Sequence, residues 1–126
     1  IGHRHESTKE VFLGPAPETE KSIWTLINDY LQKNPNTLYL PHPRDEKNRF
    51  DFLQTVHTNL IVEDFVIEQI QENGTNFTIT GTESSALINL STMPNVRTQS
   101  ILPKKPEFHE SRTLMANVGV HLINQD

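Results

Sequence analysis

Residues 76–91 read NFTITGTESSALINLS, and this stretch carries the pattern that decides the fold. Its first five residues, 76–80, place apolar side chains at alternate positions, as a half-buried β-strand does. Gly81 ends that run, and the apolar spacing of 82–91 then predicts a short helix. A strand that passes through a glycine into a helix is the repeating unit of α/β proteins with a parallel sheet.

The same alternation continues on both sides of this stretch. Besides 76–80, the predicted strands lie at 11–13, 37–40, 58–62 and 96–102. The predicted helices lie at 18–33, 45–56, 63–72, 82–91 and 107–117. The last segment, VGVHLINQ, fits either period. Strands that alternate with helices favour a parallel sheet covered on both faces. The sequence therefore predicts an α/β fold with a Rossmann-like sheet.

Composition limits the class of protein. A chain of 126 residues with 34% hydrophobic residues is one soluble domain, without an apolar run of membrane-spanning length. We place this domain at 10–126 and interpret 1–9 as an artificial end or a linker. The net charge of −5 argues against nucleic acid as a partner. The absence of cysteine excludes disulfides and thiol catalysis, and it fits a reducing compartment.

The unusual residues fall where an α/β sheet binds its ligands. In open parallel sheets, ligands lie beyond the carboxyl ends of the strands, on the connections into the helices. Five residues stand out on the predicted connections: Gly14, His42, Glu63, Ser84 and Ser85. We therefore expect them at one edge of the sheet.

Ser84 and Ser85 lie in the first turn of a predicted helix. Free backbone N–H groups, the helix dipole and two hydroxyls there suit a phosphate. Ordinary N-capping of the helix explains the same residues. The chain contains neither of the glycine-rich phosphate-loop motifs, so both interpretations stay open.

The segment YLPHPRDE at 39–46 places one histidine between two prolines. Proline fixes its own backbone and restricts the residue before it, so the His42 ring can be aimed at little entropic cost. It could bind a phosphate or donate a proton near neutral pH, or hydrogen-bond a neighbouring carbonyl as a plain loop residue. Arg44 could pair with a phosphate, or with Asp45 or Glu46.

Glu63 follows the predicted strand 58–62, where an acid in a nucleotide-binding domain would reach ribose hydroxyls. Glu68 is the competing candidate, and stabilisation of a helix dipole explains either residue equally well. The six histidines show no metal-ligand spacing such as HExxH, so we expect no metal.

Five segments together resemble the bacterial sialyltransferases of the lipooligosaccharide type. They are FLGPAP, YLPHPRDE, LIVEDFVIEQI, ITGTESSAL and the helix between the first two, within roughly residues 10–95. The moderately specific part is HPR after a strand, followed some forty residues later by G-x-x-S-S-A-L. The resemblance is to the nucleotide-sugar-binding, C-terminal half of a two-domain GT-B enzyme, whose families share an HP motif and a paired-Ser motif.

The resemblance implies a role for each candidate residue. His42 would contact the phosphate of CMP-sialic acid and assist the departure of CMP. Pro43, which would fix that loop, and Arg44 would belong to the substrate-binding residues. Ser84 and Ser85 would hold the phosphate. Glu63, or else Glu68, would bind the ribose, and the backbone at Gly14 would approach the donor. No cofactor or metal is implied.

The family's general base lies in an acidic motif ahead of the HP motif, and none precedes His42 here. We therefore expect a fragment that binds CMP but does not transfer sialic acid, with a missing N-terminal GT-B domain. A glycan acceptor is the other expected partner, and a homodimer and a peripheral membrane contact stay open. The expected location is the cytoplasm, including the inner face of a bacterial membrane.

Two alternatives compete with this interpretation. One is a GT-B glycosyltransferase that uses another nucleotide sugar. The other is a non-catalytic α/β domain that binds nucleotides or signals. A receiver-like signalling module would need clustered acids after its first strand, and Gly-Pro-Ala-Pro at 14–17 counts against it.

Overall fold

The computed structural model describes residues 8–57 and 61–123, which form alternating strands and helices. The elements in chain order are β1 (Thr8–Leu13), α1 (Lys21–Lys33), β2 (Leu38–Leu40), α2 (Val62–Asn73), β3 (Asn76–Gly81), α3 (Ser85–Leu90), β4 (Val96–Ser100), a 3₁₀ turn (Pro106–Phe108), α4 (His109–Asn117) and β5 (His121–Leu122). β1 begins at Thr8, two residues before the predicted start of the domain. The ambiguous last segment contributes β5.

The five strands form one parallel sheet in the order β2-β1-β3-β4-β5. β3 lies at the centre, and β1 pairs with it over five residue pairs, from Thr8 with Asn76 to Phe12 with Thr80. After β1, the chain adds β2 on one side of it; β3, β4 and β5 then follow one another on the other side. The strand order therefore reverses between β1 and β3. The predicted α/β, Rossmann-like class is confirmed, and the reversal marks the place where such sheets bind ligands.

Each face of the sheet has its own apolar core. Val11 and Leu13 of β1 point to one face and pack with residues of α2, α3 and α4. Phe12 points to the other face and packs with Ile23, Ile27 and the rest of the buried side of α1. This alternation follows from the two-residue period of a strand, and it fixes which helix covers which face.

The predicted helix at 45–56 is wrong. Residues 45–57 form turns and no helix, although Phe50 and Leu53 are buried as their spacing suggested. The backbone instead returns to the outer edge of β2: Tyr39 N–H donates to Gln54 at 2.9 Å, and Val56 N–H donates to Tyr39 at 2.9 Å. Covering an open strand edge satisfies backbone groups that a helix would leave unpaired.

The predicted strand at 58–62 is not supported by its described part. Residues 58–60 lie outside the described residues, Ile61 caps α2, and Val62 begins that helix. Glu63 is therefore the second residue of α2 rather than a residue that ends a strand. The run Leu-Ile-Val is typical of a strand, but a short apolar run also fits the start of a helix, so the pattern does not distinguish the two.

None of the helices within residues 8–57 and 61–123 combines the length and the apolar character needed to cross a lipid bilayer.

Candidate functional site

A cleft of about 520 Å³ opens at the carboxyl ends of the strands, where the order of the sheet reverses. We call it the donor cleft, after the nucleotide-sugar donor that the sequence resemblance implies for four of its lining residues. Its lining residues come from four segments: 13–16 after β1, the start of α1 (Thr19, Glu20, Ile23), His42 after β2, and 82–85 after β3, with Phe108 completing one wall. Four of the seven predicted site residues therefore meet in one cleft, namely Gly14, His42, Ser84 and Ser85.

The imidazole of His42 is half-buried and fixed by its own loop. Its Nδ1 accepts a hydrogen bond from the backbone N–H of Arg44 at 3.1 Å. A neutral imidazole with Nδ1 as acceptor carries its proton on Nε2, so Nε2 is the nitrogen able to donate to a ligand. The neighbour that fixes this ring is a backbone amide and not the carbonyl that an ordinary loop histidine was expected to use.

Pro43 and Arg44 are exposed and do not line the donor cleft. The Arg44 guanidinium makes two hydrogen bonds to the carboxylate of Glu18, at 2.7 and 3.1 Å. These bonds lower the pKa of Glu18. The partner is thus Glu18, 26 residues away in sequence, and not Asp45 or Glu46. The pair joins the loop that carries His42 to the segment ahead of α1.

Ser84 caps α3, since its Oγ accepts a hydrogen bond from the backbone N–H of Ala86 at 3.1 Å. The capping interpretation is therefore confirmed for Ser84. A hydroxyl that accepts one bond can still donate another, so capping leaves the Ser84 proton available to a ligand in the cleft. Ser85 is exposed and begins α3.

Gly14 has a packing reason that the sequence did not reveal. A Cβ at this position would overlap the hydroxyl of Tyr39 and lie 3.2 Å from the Cα of Pro41. The glycine therefore leaves room for a buried tyrosine. That hydroxyl has no hydrogen-bond partner among the described residues, and burial raises the pKa of Tyr39.

Neither Glu63 nor Glu68 lines the donor cleft. The Glu63 carboxylate accepts a hydrogen bond from the side-chain amide of Asn89 at 2.9 Å, which ties α2 to α3. The carboxylates that do line the cleft are Glu20, at the start of α1, and Glu83, on the connection after β3. Sequence reasoning missed both, although Glu83 lies on a connection that the carboxyl-end rule had already singled out.

The donor cleft has an unusual balance of charge. Its titratable lining groups are His42, Glu20 and Glu83, and among the described residues no lysine or arginine lines it. The Glu83 carboxylate also accepts a hydrogen bond from the hydroxyl of Ser111. Within residues 8–57 and 61–123, no group of three or more His, Asp or Glu side chains is placed to hold a metal ion. Neutral hydroxyls, backbone amides and one imidazole are the donors that this cleft offers to an anion.

Comparison with known proteins gives the family. The model of glycosyltransferase family 52 matches residues 2–105, which include every element from β1 to β4 and every residue predicted for the site. No curated protein matches the chain. Because the family model covers most of the sequence, the chain belongs to glycosyltransferase family 52.

Proposed function

We propose that this glycosyltransferase chain binds CMP-sialic acid in the donor cleft for transfer of sialic acid to a cell-surface glycan, such as a lipooligosaccharide or a capsule. One observation carries the proposal. In a chain of family 52, the cleft at the reversal of the sheet is lined by Gly14, His42, Ser84 and Ser85 together. These are residues to which the resemblance to lipooligosaccharide sialyltransferases assigns contacts with the donor.

His42 is the proposed catalytic residue. In the transfer, the bond between the anomeric carbon and the phosphate oxygen breaks, and negative charge develops on that oxygen as CMP leaves. An imidazole whose Nδ1 is already held by Arg44 N–H can donate from Nε2 to this oxygen. The hydroxyls of Ser84 and Ser85 would donate to the other phosphate oxygens. Donors fixed in advance stabilise such charge without reorganisation during the reaction.

The charge of the lining favours a CMP-sugar over a sugar attached to a nucleoside diphosphate. The phosphodiester of a CMP-sugar carries one negative charge, whereas a pyrophosphate carries two. A cleft lined by Glu20 and Glu83, with no lysine or arginine from the described part of the chain, offers little compensation for the second charge. At the phosphate position, this argument supports a nucleoside monophosphate donor over the alternative of another GT-B glycosyltransferase with a diphosphate donor.

Contacts to the ribose need an acceptor oxygen within the cleft. Binding of the ribose by Glu63, or by Glu68 as its alternative, remains a prediction. Neither residue lines the cleft. Glu83 and Glu20 do line it, and either carboxylate could accept hydrogen bonds from ribose hydroxyls. Of these, we propose Glu83, which adjoins the serines that would hold the phosphate. Pro43 and Arg44 would act indirectly, by holding the His42 loop.

Calorimetric titration of CMP into the 126-residue chain, with UMP and AMP as comparisons, tests the donor. We expect CMP to bind most tightly, and His42→Ala to weaken CMP at least about tenfold, the effect of losing one charge-assisted hydrogen bond. His121→Ala is the matched control, because His121 is exposed on β5 and does not line the cleft. Ser84→Thr keeps a hydroxyl that can both cap the helix and donate to a phosphate, so it is the matched control for Ser84→Ala.

Tighter binding of UMP or AMP than of CMP would overturn the donor assignment. Equal losses in His42→Ala and His121→Ala would overturn the role of His42. The expected absence of transfer by the chain alone is a separate prediction, which an assay with CMP-sialic acid and a glycan acceptor tests directly.

A further inference from the structure

A second cleft, of about 500 Å³, lies beside the donor cleft. The same two segments wall both clefts. At the start of α1, Glu20 lines the donor cleft, while Lys21 and Trp24 line the second one. After β2, His42 lines the donor cleft, while residues 47–50 line the second one. We call this second space the α1 cleft.

The neutral lining of the α1 cleft suits a hydroxyl-rich ligand. Asn28 and Asn48 present side-chain amides, each of which both donates and accepts hydrogen bonds, and Thr25 adds a hydroxyl. Trp24 and Phe50 supply aromatic surface, with ring centroids 6.3 Å apart. Aromatic surface with a few convergent polar groups is typical of small-ligand sites. Sugars match it because their C–H faces are apolar and their edges carry hydroxyls.

The charged lining of the α1 cleft is basic throughout. Lys21, Lys47 and Arg49 line it, and no carboxylate from residues 8–57 or 61–123 does, in a chain whose net charge is −5. The acids adjacent in sequence, Glu20 and Glu46, do not line it. Arg49 is held in place by Asp45, at 2.5 Å, and lies 3.9 Å over the Trp24 ring. The exposed ammonium groups of Lys21 and Lys47 are therefore the groups most able to meet an anionic ligand.

The indole of Trp24 provides a further donor. Its Nε1 is buried and has no hydrogen-bond partner among the described residues. An unpaired buried donor costs free energy, which a small shift of the ring toward a ligand oxygen would recover.

We propose that the α1 cleft binds an acidic saccharide, a glycan unit with a carboxylate or phosphate, and that this is where the acceptor glycan anchors. The inference rests on the proposed function, which supplies the reason for a glycan next to the donor. The ion pair between Glu18 and Arg44 joins the segment ahead of α1 to the loop that carries His42. A ligand in the α1 cleft would extend toward His42 along the segment that both clefts share.

Trp24 makes the test direct, because it is the only tryptophan in the chain. The probe is methyl β-glucuronide, titrated into the 126-residue chain while tryptophan emission is recorded. Methyl β-glucoside tests the need for the charge, and sodium acetate tests the need for the sugar. We expect a saturable shift in emission with the glucuronide, binding at least about threefold weaker with the glucoside, and no saturable shift with acetate.

Two pairs of variants locate the response. Asn48→Ala and Lys47→Gln should each weaken the glucuronide at least about threefold, since each removes one polar contact. Asn36→Ala and Lys33→Gln are the matched controls, as both residues are exposed and neither lines the cleft. The same four variants should leave CMP affinity unchanged.

The outcomes separate this inference from the proposed function. If neither glycoside gives a saturable emission change, the proposed saccharide site in the α1 cleft is wrong. The proposed donor is then still tested separately by CMP binding in calorimetry. A shift that survives Asn48→Ala and Lys47→Gln also overturns the saccharide site. An equal response to acetate would replace a saccharide site with a simple anion site. A glucuronide response without any CMP binding would support the cleft and contradict the proposed donor.

Discussion

Two connections at the same edge of the sheet illustrate how similar sequence patterns produce different structures. Both the segment after β2 and the segment after β3 have apolar residues at helical spacing. After β3, the predicted helix forms: Ser84 caps it, and it buries Ala86, Leu87 and Leu90. After β2, residues 45–57 form turns instead.

The difference lies in what each connection must cover. β3 lies inside the sheet, with β1 and β4 on its two sides, so the segment after it only has to bury a helix face. β2 is an edge strand, and residues 54–56 supply the backbone partners of Tyr39 on its open side. Local periodicity therefore predicts a helix reliably only where no strand edge competes for the backbone.

The strongest test removes an apolar anchor of the irregular connection. Phe50 is buried and packs edge-on against Tyr39, with centroids 5.0 Å apart. Phe50→Ala should lower the free energy of unfolding by about 3 kcal/mol, whereas Phe52→Ala, at an exposed position, should cost below about 1 kcal/mol. Urea unfolding measures both. Equal losses of unfolding free energy in the two variants would show that burial of Phe50 does not anchor the segment.

A smaller effect should follow from the polar anchor of the same connection. Asp45 is buried, and its carboxylate accepts hydrogen bonds from Arg49 and from the backbone N–H of Lys47. Burial opposes its charge, but these bonds outweigh burial and hold the pKa of Asp45 below its usual value. Asp45→Asn should cost about 2 kcal/mol at pH 7.

The sign of the pH dependence follows from that lowered pKa. A carboxylate with a depressed pKa in the folded state stabilises the fold above its unfolded pKa, and loses that contribution as the pH falls through the folded value. The difference in unfolding free energy between wild type and Asp45→Asn should thus have its full value at pH 7 and become smaller below about pH 4. Asp51→Asn, at an exposed position, is the control. A difference that does not depend on pH would contradict the ionic contribution.

The cap of the regular connection should matter less. Ser84→Ala removes the acceptor for the Ala86 N–H and should cost about 1 kcal/mol. Ser85→Ala removes an exposed hydroxyl with no capping bond and should cost less than about 0.5 kcal/mol. Chemical denaturation of the two variants tests this, and a larger loss in Ser85→Ala would reverse the assignment of the cap.

The smallest effect should come from the link between the loops. Glu18 and Arg44 are both exposed, and ion pairs of this kind contribute little to stability because water and salt screen them. Glu18→Gln should leave the thermal midpoint unchanged at low and at high salt. A clear destabilisation at low salt only would show that the pair holds the His42 loop more firmly than its exposure suggests.

The sequence predicted those residues of the candidate site whose location follows from their position directly after a strand. Gly14, His42, Ser84 and Ser85 lie directly after strands, and the topology of parallel strands brings such residues to one edge. Glu63 was predicted to follow the end of a strand, whereas it lies in the first turn of α2. Glu20 was missed because it precedes a helix whose start was predicted at Glu18, while the helix begins at Lys21.

The sequence by itself determined the α/β class and the edge of the sheet that carries the site, because both follow from local periodicity and from the rules of parallel sheets. Only the tertiary structure decided three further features. It placed Tyr39 against Gly14, it paired Arg44 with Glu18, and it used residues 54–56 to cover the edge of β2. Each depends on groups distant in sequence that meet only when the sheet assembles, and no local pattern encodes such a meeting.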